Sequence, residues 1–427
     1  MRKILSFTTS LAVAAASMVL LSPNPTSATM AGAAAAAKEP TRFALYSSSY
    51  GSRVNRGDLP VGSDGTSYNV IGCTHNAGVE RENFEADVVL PGIGDAEGVY
   101  TRLFTTKDGD VVSSVSTHKI AKLTLGEDPS TQLVIEGITS VARAFHDGNS
   151  FKTESSASIA SISQGGEALD IPASGETLTF PGLAEIKFGK FTTRTLPTGL
   201  QEYANALVIK VFPSNTISNI AHTTARIETG IKSGVFRGFG AATRARGLQD
   251  NVRSGRTPLT ILPCQGTNGK IKTRSIAILN LDDQIVANGL KSSTFGKQTR
   301  AKATGGTRGQ VAELNLGNGE LIVEAVVAQA NVTRTADGKL TRNADGTTIG
   351  LVNGEEFPSD GTLNIPGVAK LESKLVTNIK NGISVIGLRI TLLDGSGAEI
   401  DLGIAEIRIK PSGLRSGVNA RIGSLLN

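Results

Sequence analysis

The residues able to do covalent or metal chemistry are few. The chain of 427 residues holds two cysteines, Cys73 and Cys264, and four histidines, His75, His118, His146 and His222. Cys73 and His75 stand two apart in "GCTHNAG", which in a strand puts both on one face, as a thiol nucleophile and its base require. That spacing alone does not specify catalysis. The remaining histidines have no zinc-ligand spacing. Asp108 and Asp110 in "TKDGDV", and Asp282 and Asp283 in "LNLDDQ", offer oxygens to Ca²⁺. Neither pair has the spaced loop of an EF-hand, and Asp-Gly is first a turn signal, so solvated turns are expected. No phosphate-cradling glycine loop and no G-x-S-x-G elbow occurs. The absence of Trp and the presence of five Tyr weaken a sugar-stacking platform. Neither a cofactor nor a metal is expected, and the activity expected is non-enzymatic. A wall- or glycan-acting hydrolase is the second alternative, because its paired carboxylates are spatial neighbours rather than sequence neighbours.

The elements that must position these residues are written twice. "SGETLTFPGLAEI" from Ser174 returns as "SDGTLNIPGVAKL" from Ser359, sharing Thr177/Thr362, Leu178/Leu363, Pro181/Pro366, Gly182/Gly367 and Ala184/Ala369. "KIAKLTLG" from Lys119 answers "QVAELNLG" from Gln310 at an offset of 191, the offset that also separates Cys73 from Cys264. "ALVIKV" from Ala206 matches "GLRITL" from Gly387, and "ARI" at Ala225 matches "AEI" at Ala405. Repeats this long are duplicated domains rather than solenoid units of roughly 20–50 residues. Each copy alternates apolar and polar residues over short runs punctuated by Asp-Gly and Asn-Gly pairs, the pattern of strands and tight hairpins. The expected fold is therefore all-β: two tandem homologous antiparallel sandwich- or barrel-like domains. The Pro-Gly pairs are expected to make the same hairpin or corner in each.

At the start, Met1-Arg2-Lys3 precedes an apolar run to Leu21 and small residues around Ala28, the pattern of a cleaved secretory signal. The expected organisation is a signal peptide over 1–28, an Ala/Gly-rich spacer over 29–40, domains over 41–230 and 231–412, and a tail over 413–427. No later run reaches the roughly 20 apolar residues of a membrane span. Export makes a disulfide between two equivalently placed cysteines the expected pairing, with two separate buried thiols as the alternative. It would close a loop worth about 4–5 kcal/mol in the chain-entropy model.

With these residues in view, the chain resembles the choice-of-anchor P family: the signal-like start, the Ala/Gly-rich spacer, the Gly- and Val-rich β units and the duplicated "TLxxPGxA" phrase carry the likeness. Those are secreted actinobacterial surface proteins with variable C-terminal attachment signals. The resemblance covers most of the mature chain and implies export and a surface location. It brings no catalytic residues, and this sequence departs from the pattern in showing no C-terminal anchor.

Charge separates the two copies. Residues 41–230 hold 15 Lys and Arg against 21 Asp and Glu, a net of −6, whereas 231–427 hold 25 against 16, a net of +9. The excess gathers around Arg244, Arg246, Arg253, Arg256, Lys297, Arg300, Lys302 and Arg308, the expected contact surface. A basic exported domain suits anionic cell-wall polymers or a partner surface protein. Nucleic acid is not expected, since no aromatic residues interleave the cations. Opposite charge on homologous units also fits self-association into a surface layer or fibre, the first alternative.

Overall fold

The computed structural model describes residues 38–56, 65–90, 94–212, 215–248, 252–281 and 285–412. The expected signal peptide, spacer residues 29–37, the 413–427 tail, Asp282 and Asp283 lie outside the described residues. Every regular element described is a strand.

The first half contains β1 (Glu39–Arg56), β2 (Asn69–Ala77), β3 (Glu80–Leu90), β4 (Gly94–Asp108), β5 (Val111–Leu125), β6 (Leu133–His146) and β7 (Phe151–Ser158). It continues through β8 (Ser161–Gln164), β9 (Glu167–Ala168), β10 (Thr177–Phe180), β11 (Ala184–Leu196), β12 (Gly199–Val211) and β13 (Thr216–Glu228). The second half opens with β14 (Gly234–Leu248), β15 (Val252–Leu262), β16 (Lys272–Leu281), β17 (Ile285–Gln298), β18 (Lys302–Leu316), β19 (Leu321–Thr335) and β20 (Leu340–Asn343). It closes with β21 (Leu351–Val352), β22 (Glu355–Glu356), β23 (Thr362–Ile365), β24 (Ala369–Ile379), β25 (Gly382–Leu392) and β26 (Glu399–Pro411).

One sheet of the first half runs β10-β11-β12-β13-β1-β2, and its partner runs β3-β4-β5-β6-β8-β9 with β7 also on β6. Adding thirteen to each strand number reproduces both sheets of the second half. The duplication is thus a duplication of topology, strand for strand. None of the four sheets closes into a barrel, so sandwich rather than barrel is the architecture.

Alternation explains the layers. β5 places Ile120, Leu123 and Leu125 inward, β6 adds Leu133, Ile135 and Ile138, and they meet Ile186, Leu207 and Ile209 of the facing sheet. In the second half Val311, Leu314 and Val323 meet Leu371, Leu388 and Ile390. Truncating any of these to Ala would cost about 2–5 kcal/mol.

The same positive-φ positions recur within the strands as well. Gly98, Gly137, Gly189 and Ala221 take positive φ in the first half, and Gly289, Ala325, Lys374 and Gly403 take it at the equivalent places. At Gly98 and Gly289 an added Cβ would lie within 2.7 and 2.6 Å of Ala121 and Ala312, so the positive φ brings a glycine backbone close against the neighbouring strand without breaking its register. The repeated phrase resolves into one hairpin: Leu183 N–H donates to the Phe180 carbonyl (3.0 Å) and Val368 N–H to that of Ile365 (3.1 Å). Pro presets the first central angle of each turn, and Gly182 and Gly367 supply φ values of 74° and 72°.

One detail of the sequence alignment changes. Ala225 pairs with Ser47, and the residue pairing with the equivalent Gly238 is Ile407, not Ala405. The strand pairing sets the offset there at 182 rather than 180, which short sequence identities cannot report.

Candidate functional site

Cys73 on β2 and Cys264 just after β15 form a disulfide, with Cα atoms 5.3 Å apart, joining the two sandwiches. The bond removes the thiol that a Cys73–His75 nucleophile would need. Ala44, Ile231 and Val235 bury it. Arg226 donates to the Cys264 sulfur at 2.8 Å and lies over the Tyr46 ring at 4.7 Å.

The two sides of this seam hold equivalent positions with different chemistry. On the first-half side Tyr46 pairs across the sheet with Arg226, and Ala44 with Glu228. Arg226 and Glu228 form an ion pair at 3.3 Å, leaving that side locally neutral. On the second-half side Arg237 takes the place of Tyr46 and pairs with Arg408, while Lys410 stands where Glu228 stands. Two like charges directly opposite on one sheet face are destabilising. Glu406 answers one of them, accepting from Arg408 Nε at 2.9 Å.

Arg237 and Lys410, with Lys38 and Arg81 from the first half, line a cavity of about 170 Å³ at the seam, and no carboxylate lines it among the described residues. That is room for several waters or for one small anion and its hydration. The guanidinium of Arg237 packs on Gly72, where an added Cβ would fall 2.3 Å from its Nε. The Lys410 ammonium crosses the seam to donate to the Cys73 carbonyl at 3.3 Å. Burial, together with the charges of Arg237, Arg81, Arg408 and Lys38, pulls that ammonium down to about 8. Burial and the neighbouring Arg408 likewise lower Arg237 from its ordinary value. The arrangement is a pocket of positive potential whose cations lack full compensation, suited to an anion.

The basic residues singled out in the sequence do not form one surface. Arg244 is turned inward onto Asp401, which Arg389 also holds at 2.8 Å. Burial raises the Asp401 carboxyl, but these hydrogen bonds outweigh it and leave the group below its ordinary value. Arg256 stacks on Phe239 at 4.5 Å, and Arg308 is half-buried with its Nε enclosed. Arg246, Lys297, Arg300 and Lys302 are exposed. Lys302 and Lys297 flank the turn near Gly234, whereas Arg246 follows Ala245, which packs with Leu279 and Leu314 at the other end. About 40 Å of strand, from Gly234 to Arg246, separates the two groups. The side chain of Arg253 lies outside the described residues. None of the seven described side chains lines the seam cavity.

A second polar cluster is buried between the sheets of the first half. His118 Nδ1 lies 2.9 Å from Ser49 Oγ and 2.8 Å from Thr101 Oγ1. Ser49 donates to the His222 carbonyl (2.8 Å) and Thr101 to the Ser67 carbonyl (3.1 Å). Both hydroxyl protons are thus committed, and Nδ1 carries the imidazole proton. A general base toward Ser49 needs the opposite tautomer. All three side chains are fully enclosed, so this cluster is core. Asp108 and Asp110 sit at the β4–β5 turn around Gly109, whose φ is 56°. Among the described residues no group of His, Cys, Asp and Glu is arranged to hold a metal.

No protein-family model matches the chain, and no curated protein matches it.

Proposed function

We propose that this is an exported, non-enzymatic structural or binding protein of a bacterial cell surface, which contacts anionic wall polymers or acidic partner proteins through its cationic seam. The observation that carries this reading is the difference between equivalent positions: Tyr46 and Glu228 on one side, Arg237 and Lys410 on the other. A fold that merely drifted would have no reason to keep two arginines opposed and a lysine beside them, at a cost to stability. The disulfide supports an oxidising compartment. No helix among the described residues is long and apolar enough to cross a membrane. The resemblance to choice-of-anchor P proteins belongs to the same proposal.

Retention on purified anionic wall polymer, measured against salt, tests it. The wild-type protein should be retained at low salt and released as salt rises. Arg237→Gln with Lys410→Gln should weaken retention at least about tenfold, the size of one lost charge-assisted hydrogen bond. Gly72→Ala, which displaces the Arg237 guanidinium, should act in the same direction. Arg246→Gln with Lys302→Gln should change little. Equal loss from both double variants, or no salt-sensitive retention at all, would overturn the reading.

A further inference from the structure

Two strands that correspond to each other, β3 and β16, end their sheets with one edge unpaired. Both are long, at 11 and 10 residues, and most of their described side chains are exposed. Long exposed edges with apolar side chains are templates for strand addition. Phe84 and Val89 of β3 are 62% and 74% exposed, and Ile271 and Ile278 at β16 are 71% and 63% exposed.

Their charges are opposite. β3 reads "ERENFEADVVL", with Glu80, Glu82, Glu85 and Asp87 against Arg81. β16 reads "KTRSIAILNL", with Lys272 and Arg274, no acidic residue, and Lys270 just ahead of it. Arg102 holds Glu80 at 2.6 Å and Glu82 at 3.4 Å, but no ion pair among the described residues engages Glu85, Asp87, Lys272 or Arg274. Charge on an edge commonly blunts it against any partner. Here the charge is selective: two β3 edges repel, two β16 edges repel, and β3 attracts β16.

We propose that copies of this chain join head to tail, the acidic β3 edge of one adding to the basic β16 edge of the next. The contact unites two different surfaces, so it is head to tail and propagates as a filament where the rotation between neighbours is open, or as a ring where it closes. Each junction would continue the sheet that ends in β3 of one molecule into the sheet that ends in β16 of its neighbour, with the exposed Phe84 and Val89 brought against Ile271 and Ile278.

Sedimentation of the mature full-length protein tests this. At low salt the weight-average mass should rise with concentration to several times that of the monomer. At about 1 M salt, where the screening length is about 3 Å, it should fall toward the monomer's. Lys272→Glu with Arg274→Glu should leave a folded monomer, as should Glu85→Lys with Asp87→Lys, each checked by its thermal melt. Mixing the two variants should restore assembly, because one then carries two acidic edges and the other two basic ones. A wild-type monomer at low salt and high concentration, charge-reversed variants that assemble like wild type, or a mixture that stays monomeric would each overturn the proposal.

Discussion

The two sandwiches share thirteen strands, their order and their positive-φ positions, yet fill their centres in opposite ways. In the first, His118 stands between the sheets, held by Ser49 and Thr101, with Ser140 and Thr223 bonded at 3.0 Å beside it. In the second, the positions of Ser49 and His118 are Gly240 and Gly309. There the backbones approach so closely that a Cβ on Gly309 would lie 1.8 Å from the Ala241 carbonyl oxygen, and one on Gly240 would lie 2.2 Å from that of Arg308. Ala328 and Ala405 replace Ser140 and Thr223. One topology therefore tolerates either a polar plug, with every hydroxyl needing a partner, or direct contact between sheets, with no side chain between them.

Three experiments would break or sharpen that contrast. The largest effect should come from Cys73→Ser with Cys264→Ser. Freed of a closed loop of about 190 residues, the chain should lose about 4–5 kcal/mol and unfold in two thermal steps instead of one. A single unchanged transition would mean that the halves cohere without the bond. Next, Gly309→Ala should destabilise the second half by about 3 kcal/mol, because the atoms it meets are backbone and cannot swing away. Hydrogen exchange should show the loss confined to residues after Gly234; tolerance of the Ala would show that the sheets can separate.

Just below the ordinary histidine value, at about pH 6, the smallest effect is that of the buried histidines, and it grows as the pH falls. Burial holds His118 down to about 3 and, with Arg53, His222 down to about 4. Their folded values lie below the ordinary 6.5, so the unfolded chain takes up protons first as pH falls. Their contribution is complete above about 6.5 and declines below it by about 1.4 kcal/mol per pH unit for each histidine. That decline ends near 4 for His222 and near 3 for His118. All four histidines precede residue 223, so exchange protection should fade first in the first sandwich between pH 6.5 and 4. The depressed carboxyl of Asp401 costs the second half stability only below its ordinary 3.8. Equal fading in both halves would contradict the assignment.

Much of this architecture was legible in the residues. Period-two alternation, Asp-Gly turns and the repeated Pro-Gly hairpin reported local backbone, which is where sequence speaks most directly. Equivalent cysteines reported the one covalent link. The seam cavity was not legible, because Lys38, Arg81, Arg237 and Lys410 come from segments far apart in the chain and meet only once two sandwiches dock. Arg244 illustrates the converse: it stands in a basic run, but strand alternation turns it onto Asp401, 157 residues away. Proximity in sequence gathered cations that the pleat then scattered.

The disulfide also fixes how the molecule would carry a load. A pull applied near Glu39 and Pro411 travels from β1 and β2 to Cys73, crosses the sulfur bridge to Cys264, and leaves along the second half. Everything between those cysteines is bypassed. Up to about 650 Å of contour cannot be drawn out while the bond is intact, so one sandwich would bear tension while most of its twin stayed slack.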